Sequence, residues 1–513
     1  MRTLDSAILR RLMKHSVNRL PLGRLCASLH NVLSDVAVSG PDPRVTGLSA
    51  DSRSTRPGDL FIAAPGVRHD GLAHVKEALS RGATAVLAAR RPELPEDIGF
   101  VGVPDVPLAK SIVADTFFGH PSGRLKVVGI TGTNGKTTVA SILRSMLTMD
   151  GLGNGMVGTL GAWVDGRHQA LVNTTPDAIE VHRLLAEMVD ENLTAAVMEV
   201  SSHALMQHRV HGVDFDVGVF TNLSQDHLDY HGDMASYGNA KARLFDGLGD
   251  QATAVLNADD DLSPMLAERT AASVVRFGFA EDAHIRAKID RLDAEGSAFR
   301  LVRESRNEER RLVLPIDMRM VGRHNVSNAL AAAGAACALG VSAAAIRTGL
   351  ASMAPVSGRL EAVECGQDFR VFVDYAHTPD ALEKVLAQLR PLTKGRLAVV
   401  FGCGGDRDTG KRPQMGAAAA RWADDVYVTS DNPRSESPEQ IVDEIIAGIP
   451  EGAECTLNAL VDRREAISQA CAAARGGDVV LVAGKGHETT QVIGDQVLDF
   501  DDCQITRETL WSL

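Results

Sequence analysis

Val127-Val128-Gly129-Ile130-Thr131-Gly132-Thr133-Asn134-Gly135-Lys136-Thr137-Thr138 is the stretch that decides how the chain is read. An apolar run enters a glycine-rich turn and helix-forming residues follow, so 125–130 is expected as a buried strand and 136–149 as a helix. In such a turn the backbone N–H groups and the helix N-terminus meet phosphate oxygens, Lys136 reaches the β/γ region, and the Thr137 hydroxyl can ligate Mg²⁺. The strict G-x-x-x-x-G-K-[ST] spacing fails, because Ile130 stands five residues before Gly135. The expectation of a nucleoside triphosphate site therefore rests on the strand–turn–helix context.

Working outward, further strands are expected at 195–200, 217–220 and 253–257 with helical patterns between them, the βαβ rhythm of a mainly parallel sheet. Residues 273–315 lack helical periodicity and carry the charged run 304–311, which reads as strands around a solvated turn. A helix at 325–339 closes this block. Strands at 370–373, 397–402, 426–430 and 479–482 then alternate with helices opening at Pro379, Pro413 and Pro438, where proline suits a first helical turn. Upstream, Asp59-Leu60-Phe61-Ile62 and Ala83-Thr84-Ala85-Val86-Leu87 alternate with Pro/Gly turns. The expected fold is α/β in three domains. A small N-terminal α/β domain (25–122) ends at the linker His120-Pro121-Ser122-Gly123. A central P-loop domain (123–356) has a mainly parallel sheet with an added antiparallel section, and a Rossmann-like domain (357–513) follows. Residues 1–24, with Arg2, Arg10, Arg11, Lys14, Arg19 and Arg24 against Asp5, are expected as a basic terminal extension.

Composition agrees with this size and class. At roughly 150 residues per domain, 513 residues suit three domains. Hydrophobic residues at 44% and charged residues at 23% exclude a disordered polymer or a membrane bundle. Lys+Arg 53 against Asp+Glu 66 leaves −13, and aromatics are only 4%, so nucleic acid is not an expected partner. No apolar run reaches the ~18–20 residues of a spanning helix, and no secretory apolar segment opens the chain. Seven cysteines without a C-x-x-C pair argue against zinc or a disulfide framework and for a reducing cytoplasm.

Mg²⁺ at one threonine needs more oxygen ligands, and Glu199, ending the apolar run 195–198, is the expected acid. Ser201-Ser202-His203 follows it, and Asn222 to Gly232 forms a polar loop after 217–220. His227 in that loop is either a hydrogen-bonded loop histidine or a group reaching metal or phosphate, and spacing leaves both open. Lys241 alone reads as one helix lysine among many.

GTNGKTT at 132–138, MEVSSH at 198–203, DHLDYHG at 226–232, GRHNVSN at 322–328, SGRLE at 357–361 and DYAHTPD at 374–380 together resemble the Mur ligases, over about residues 50–488. These are ATP-dependent amide-bond ligases that build the peptidoglycan stem peptide. Folylpolyglutamate synthetases share several of the motifs. The resemblance implies ATP at Gly132, Thr133, Asn134, Gly135, Lys136, Thr137 and Thr138, with Asn325, Asn328, Arg359 and Asp374 on the nucleoside side. It implies Mg²⁺ at Thr137 and Glu199, and catalytic roles for Lys136, His227 and Lys241. Lys241 would be carbamylated by CO₂ and, with His227, serve a metal. A UDP-N-acetylmuramoyl-L-alanyl-D-glutamate substrate would meet Ala50, Ser52, Val67, Arg68 and His69 at its UDP end. Asn173, Thr174, Thr175, Ser201, Gln207 and Arg209 would hold the muramoyl dipeptide.

Asp431-Asn432-Pro433-Arg434 resembles the string with which one branch of the family recognises meso-diaminopimelate, and Arg407, Gly484 and Glu488 would share that site. The chemistry agrees, since a guanidinium grips a carboxylate bidentately, although Asx-Pro turns are also common structural elements. A cytoplasmic monomer that neither enters a membrane nor binds nucleic acid is implied. Two other classes stay open on the residues alone. A nucleotide-dependent switch would share the P-loop without needing DNPR, and a NAD-dependent dehydrogenase could use the C-terminal block, although 402–407 lacks G-x-G-x-x-G spacing. A lysine-adding ligase is the nearest rival within the family.

Overall fold

The computed structural model describes residues 19–66, 70–304, 312–353 and 355–513. Its central sheet is built on the strand Lys126–Thr131, flanked in parallel by Ala195–Glu199 and Val217–Phe220. Successive side chains enter opposite apolar layers: Val128 and Ile130 pack on one face, Val127 on the other. Because helices cover both faces, these strands are apolar between their ends rather than alternating with polar residues. Among the described residues the sheet has eleven strands. The meander Ile285–Asp293, Gly296–Arg303 and Leu312–Met318 supplies the expected antiparallel section, and Asn154–Gly158, Gly161–Val164 and Arg167–Gln169 form a second one at the other edge. Residues 305–311 of the expected solvated turn lie outside the described residues.

Lys136–Met149, Arg323–Ala338 and Ala343–Ser352 cover the face that carries the phosphate loop. The alanine-rich helix Arg323–Ala338 approaches the sheet closely, since a Cβ on Gly334 would sit 2.7 Å from Val255 Cγ1. That approach brings Asn325 and Asn328, near its N-terminus, beside the glycine turn.

The N-terminal sheet runs Ala37–Ser39, Gly99–Gly102, Ala85–Ala88, Asp59–Ile62, Gly47–Ser49, parallel except at its first pair. Leu20–Pro21 pairs with Arg44–Val45, and Leu22 and Leu25 lie in this domain's core. The packed chain thus begins ahead of residue 25, because the leucines bury while the neighbouring arginines stay at the surface. The expected linker is also more ordered than a slack connection: Pro121–Arg124 forms a 3₁₀ turn, and Ser122 Oγ accepts from the backbone N–H of Asp214 at 3.1 Å.

The third sheet runs Glu361–Ala362, Arg370–Asp374, Val479–Ala483, Leu397–Phe401, Asp425–Val428, Thr456–Ala459, parallel apart from its first pair. Helices open at Pro379 and Pro438 as expected. The other begins at Lys411, so Pro413 takes its third position, where a backbone N–H has no intrahelical acceptor anyway. The 402–407 turn, DNPR and the 484–488 turn all leave carboxyl ends of these strands, the usual ligand edge of an open α/β sheet. Among the described residues no helix is long and apolar enough to cross a membrane.

Behind that edge Arg463 and Asp502 form a fully buried pair, with Nε–Oδ1 at 2.8 Å and Nη2–Oδ2 at 2.7 Å. Arg463 also donates to the carbonyls of Ser430 (3.4 Å) and Ala483 (2.9 Å), the residues just before DNPR and Gly484. Asp502→Ala leaves this guanidinium buried without its counter-ion, so urea unfolding is expected to report a loss of roughly 3–5 kcal/mol.

Candidate active site

The glycine turn adopts a conformation only glycine accepts at two points. Gly132 and Gly135 have φ of 149° and 89°. Added Cβ atoms would lie 1.8 Å from Thr221 Oγ1 and 2.4 Å from Asn328 Oδ1, respectively. The turn is braced by the segment after the strand Val217–Phe220. The backbone N–H of Thr133 donates to Asn222 O (2.8 Å) and that of Asn134 to Asn222 Oδ1 (3.0 Å), while Thr221 Oγ1 donates to Asn134 O (2.6 Å). Lys136 Nζ folds over the turn onto the carbonyls of Gly132 and Thr133, both at 2.9 Å. Burial lowers its pKa, against the pull of Glu199 and Asp226, and the nearby Arg359 charge adds to the depression.

Thr137, on the first turn of the helix, donates through Oγ1 to Glu199 Oε2 at 2.8 Å, and both residues are buried. Thr159 holds the same carboxylate through its N–H (2.8 Å to Oε1) and hydroxyl (3.0 Å to Oε2). A Cβ on Gly158 would come within 2.1 Å of Glu199 Oε1, so the strand Asn154–Gly158 closes tightly on it. A hydroxyl and an oriented carboxylate beside a phosphate loop suit a hard divalent cation that takes its remaining ligands from phosphate and water. Among the described residues no group of three or more His, Cys, Asp or Glu side chains forms a metal cage. The contacts of Thr159 join strands far apart in sequence, and no local pattern announces them.

Lys241, on the helix Met234–Asp246, is buried with Nζ 4.2 Å from the Tyr237 ring centroid. Burial first, and the Lys136 charge second, push its pKa well below the ordinary lysine value. His227 lies at the same wall in a left-handed conformation, 3.5 Å from Asp226, and burial lowers its pKa. It belongs to a ring cluster that spacing does not reveal. His203 packs against His227 and Tyr230 at 4.9 and 4.2 Å between centroids, and His231 against Tyr237 at 5.0 Å.

The third domain faces this wall. Arg359 lies 4.7 Å from the Tyr375 ring centroid, and its Nε is buried without a hydrogen-bond partner. Asp374 accepts the backbone N–H groups of Leu360 (2.7 Å) and Ala376 (2.8 Å), and burial raises its pKa. Asn328 Nδ2 bonds Asn325 Oδ1 at 3.2 Å, and Asn325 is anchored on Val321 O at 2.8 Å. Asp431, Asn432, Pro433, Gly484 and Glu488 come together: Asn432 Nδ2 donates to Glu488 Oε2 at 3.0 Å, and a Cβ on Gly484 would sit 2.9 Å from Asp431 Oδ2. Arg434 has φ of 53° and donates Nη1 to Gly405 O at 2.6 Å, while Arg407 stands exposed at the rim.

Of the residues expected on the dipeptide side, Thr175 is buried and donates to Glu199 O at 2.8 Å, which puts it directly behind the acid. Arg209 binds Thr175 O (2.7 Å) and Gln207 Oε1 (2.7 Å), and Ser201 receives a bond from Thr175 at 3.4 Å. Thr174 Oγ1 lies 3.1 Å from Thr159 Oγ1, and Asn173 is exposed. In the first domain Ala50 is exposed, and Ser52 is buried, donating to Glu77 at 2.7 Å. Val67, Arg68 and His69 lie outside the described residues.

Three family models match the chain: "Mur ligase family, catalytic domain" over residues 44–113, "Mur ligase middle domain" over 130–336, and "Mur ligase, glutamate ligase domain" over 358–486. The chain is 46% identical over 474 residues to the UDP-N-acetylmuramoyl-L-alanyl-D-glutamate--2,6-diaminopimelate ligase of Geobacillus thermodenitrificans, covering 91% of this chain and 95% of that one. It is likewise 46% identical over 475 residues to the protein of that name from Geobacillus kaustophilus, with 91% and 95% covered. A solved structure of a ligase of that name is 31% identical, with a TM-score of 0.68 over 96% of this chain and 99% of the other.

Gly135→Ala forces a side chain into the left-handed region and against Asn328. Calorimetry is expected to show ATP affinity falling by about tenfold or more, with a stability loss of about 1–3 kcal/mol.

Proposed function

The chain belongs to the Mur ligase family, and from that premise we propose that it joins 2,6-diaminopimelate to UDP-N-acetylmuramoyl-L-alanyl-D-glutamate at the expense of ATP, a step of peptidoglycan precursor synthesis. It is an ATP-dependent acid–amino-acid ligase. The reading is supported by a braced phosphate loop with Thr137 and Glu199, together with a cluster at the strand ends of the third domain in which Asn432, Arg434 and Glu488 would offer donors and an acceptor to an amino acid.

In the proposed course, the D-glutamate carboxylate attacks the γ-phosphorus, giving an acyl phosphate and ADP. The diaminopimelate amine then attacks the acyl carbon, and phosphate leaves from the tetrahedral intermediate. The loop N–H groups and Lys136 hold the triphosphate and balance charge on the transferring group. Arg359, reaching over from the third domain with an unpartnered Nε, adds a further donor on the nucleotide side. Thr137 and Glu199 would hold Mg²⁺, which supplies charge neutralisation at the phosphates. Closure of the third domain over the central one keeps water from the acyl phosphate. Thr175, Ser201, Gln207 and Arg209 orient the dipeptide from behind Glu199, and Ser52 and Ala50 serve the UDP end together with Val67, Arg68 and His69.

Carbamylation of Lys241 fits its surroundings, since CO₂ reacts with a neutral amine and burial favours that form. A lysine with a depressed pKa is neutral above that pKa and charged below it, so uptake of CO₂ is expected to fail as the pH falls. The carbamate anion would then stand beside His227 and Lys136. We further propose a cytoplasmic monomer. All seven cysteines are free thiols, which suits a reducing compartment.

Phosphate release is expected only when ATP, Mg²⁺, the UDP-muramoyl dipeptide and diaminopimelate are all present, with lysine a poor replacement. Arg434→Ala removes a charged hydrogen-bonding group worth ~1.5–3 kcal/mol, so the KM for diaminopimelate should rise about 10–100-fold while that for ATP holds. Protein equilibrated with ¹³CO₂ is expected to show a carbamate carbonyl signal by NMR that is lost in Lys241→Arg and on acidification. Its absence from active wild type would remove the carbamate from the account.

A further inference from the structure

Between Asn432 and Glu488 lies Lys485, a lysine with no exposed surface. Its Nζ donates to Asn432 Oδ1 at 3.3 Å and to Glu488 Oε2 at 3.2 Å. Asn432 Oδ1 also accepts the backbone N–H of Val492 at 3.0 Å, and Asn432 Nδ2 donates to the same Glu488 oxygen at 3.0 Å. An ammonium and a backbone N–H are donors only, so the amide must turn its oxygen toward both. Its nitrogen then faces Glu488, and the one polar position left on the amide is a second N–H. Glu488, with Oε2 shared by Lys485 and Asn432, keeps its other carboxylate oxygen for a cation.

We propose that Lys485 is a positioning residue that sets which amino acid the ligase accepts. With Val492 and Glu488 it holds the Asn432 amide so that its second N–H is left for a carboxylate, which the Arg434 guanidinium of the same DNPR loop would share. It also holds Glu488 in place as the anion for the ammonium of the same zwitterionic head. Diaminopimelate carries both groups at its distal end, whereas lysine carries only the ammonium. Without Lys485 the amide oxygen keeps one donor, the Val492 N–H, instead of two, and Glu488 loses its buried counter-charge, so the two groups are no longer held together at the spacing of a zwitterionic head. The inference rests on the reading of this pocket as the amino-acid site.

The test compares wild type, Lys485→Met, Lys485→Arg and Asn432→Asp in phosphate-release assays with diaminopimelate and with lysine, alongside thermal melting. Lys485→Met is expected to raise the KM for diaminopimelate about tenfold or more and to lower the diaminopimelate-over-lysine ratio of kcat/KM by a similar factor, as losing a charged donor should. The KM for ATP should stay within about twofold, a split that a general loss of structure would not give. Lys485→Arg keeps charge and donors and should recover part of the preference. Asn432→Asp leaves an oxygen for Lys485 and Val492 but sets a second carboxylate against Glu488 in place of the N–H, so it should shift preference the same way by removing the donor itself. If Lys485→Met does not fold, Lys485→Gln, which keeps a donor and drops the charge, takes its place in the same comparison. Folded variants that keep the wild-type ratio overturn the proposal. Wild type inactive with every amino acid would overturn the ligase reading instead.

Discussion

The structure turns on how Glu199 is held. A carboxylate buried at the end of an apolar strand is costly unless its oxygens are occupied. Here both oxygens accept hydrogen bonds, from Thr137 on the phosphate-loop helix and from Thr159 in the turn after the neighbouring strand. That requirement fixes the first turn of the helix against the sheet and sets the height of the glycine turn above it. Thr221 and Asn222 brace the turn from the other side. A phosphate cradle built this way is rigid before nucleotide arrives, so little ordering remains to oppose binding.

The proposed amino-acid site follows the same rule with the opposite sign. Three buried cations, Arg412, Arg463 and Lys485, stand behind its loops. Arg412 pairs with Glu436 and Glu444, Arg463 with Asp502, and Lys485 with Glu488. Each cation is held by carboxylates or by loop carbonyls, Arg412 through its Nη atoms while its Nε stays unpartnered, so the loops at the strand ends are tied to the domain rather than free. Buried pairs of this kind add little net stability but make departures from one geometry expensive. In the proposed reaction, where an amine has to meet a short-lived acyl phosphate, such a site benefits from that trade.

Much of this was legible in the chain itself. The apolar run before Gly132 and the helix formers after Gly135 mark the strand Lys126–Thr131 and the helix Lys136–Met149, because both elements follow from local periodicity. Glu199 was legible as an acid ending an apolar strand. Thr159 was not, since its role depends on Asn154–Gly158 lying beside Ala195–Glu199 in the sheet. Lys485 sits in plain view in Gly484-Lys485-Gly486-His487-Glu488, yet nothing local says that this lysine is buried and aimed at an amide two loops away. The start of the first domain was hidden for a different reason: basic residues near Leu20, Leu22 and Leu25 mask three leucines that pack inward or pair.

The proposed reaction requires an oxygen of the dipeptide's carboxylate to pass to phosphorus. Substrate labelled with ¹⁸O in that carboxylate, turned over with ATP and diaminopimelate, tests this directly by mass spectrometry of the released phosphate. One ¹⁸O atom per phosphate is the predicted result. Unlabelled phosphate, released together with the amide product, would contradict transfer through an acyl phosphate.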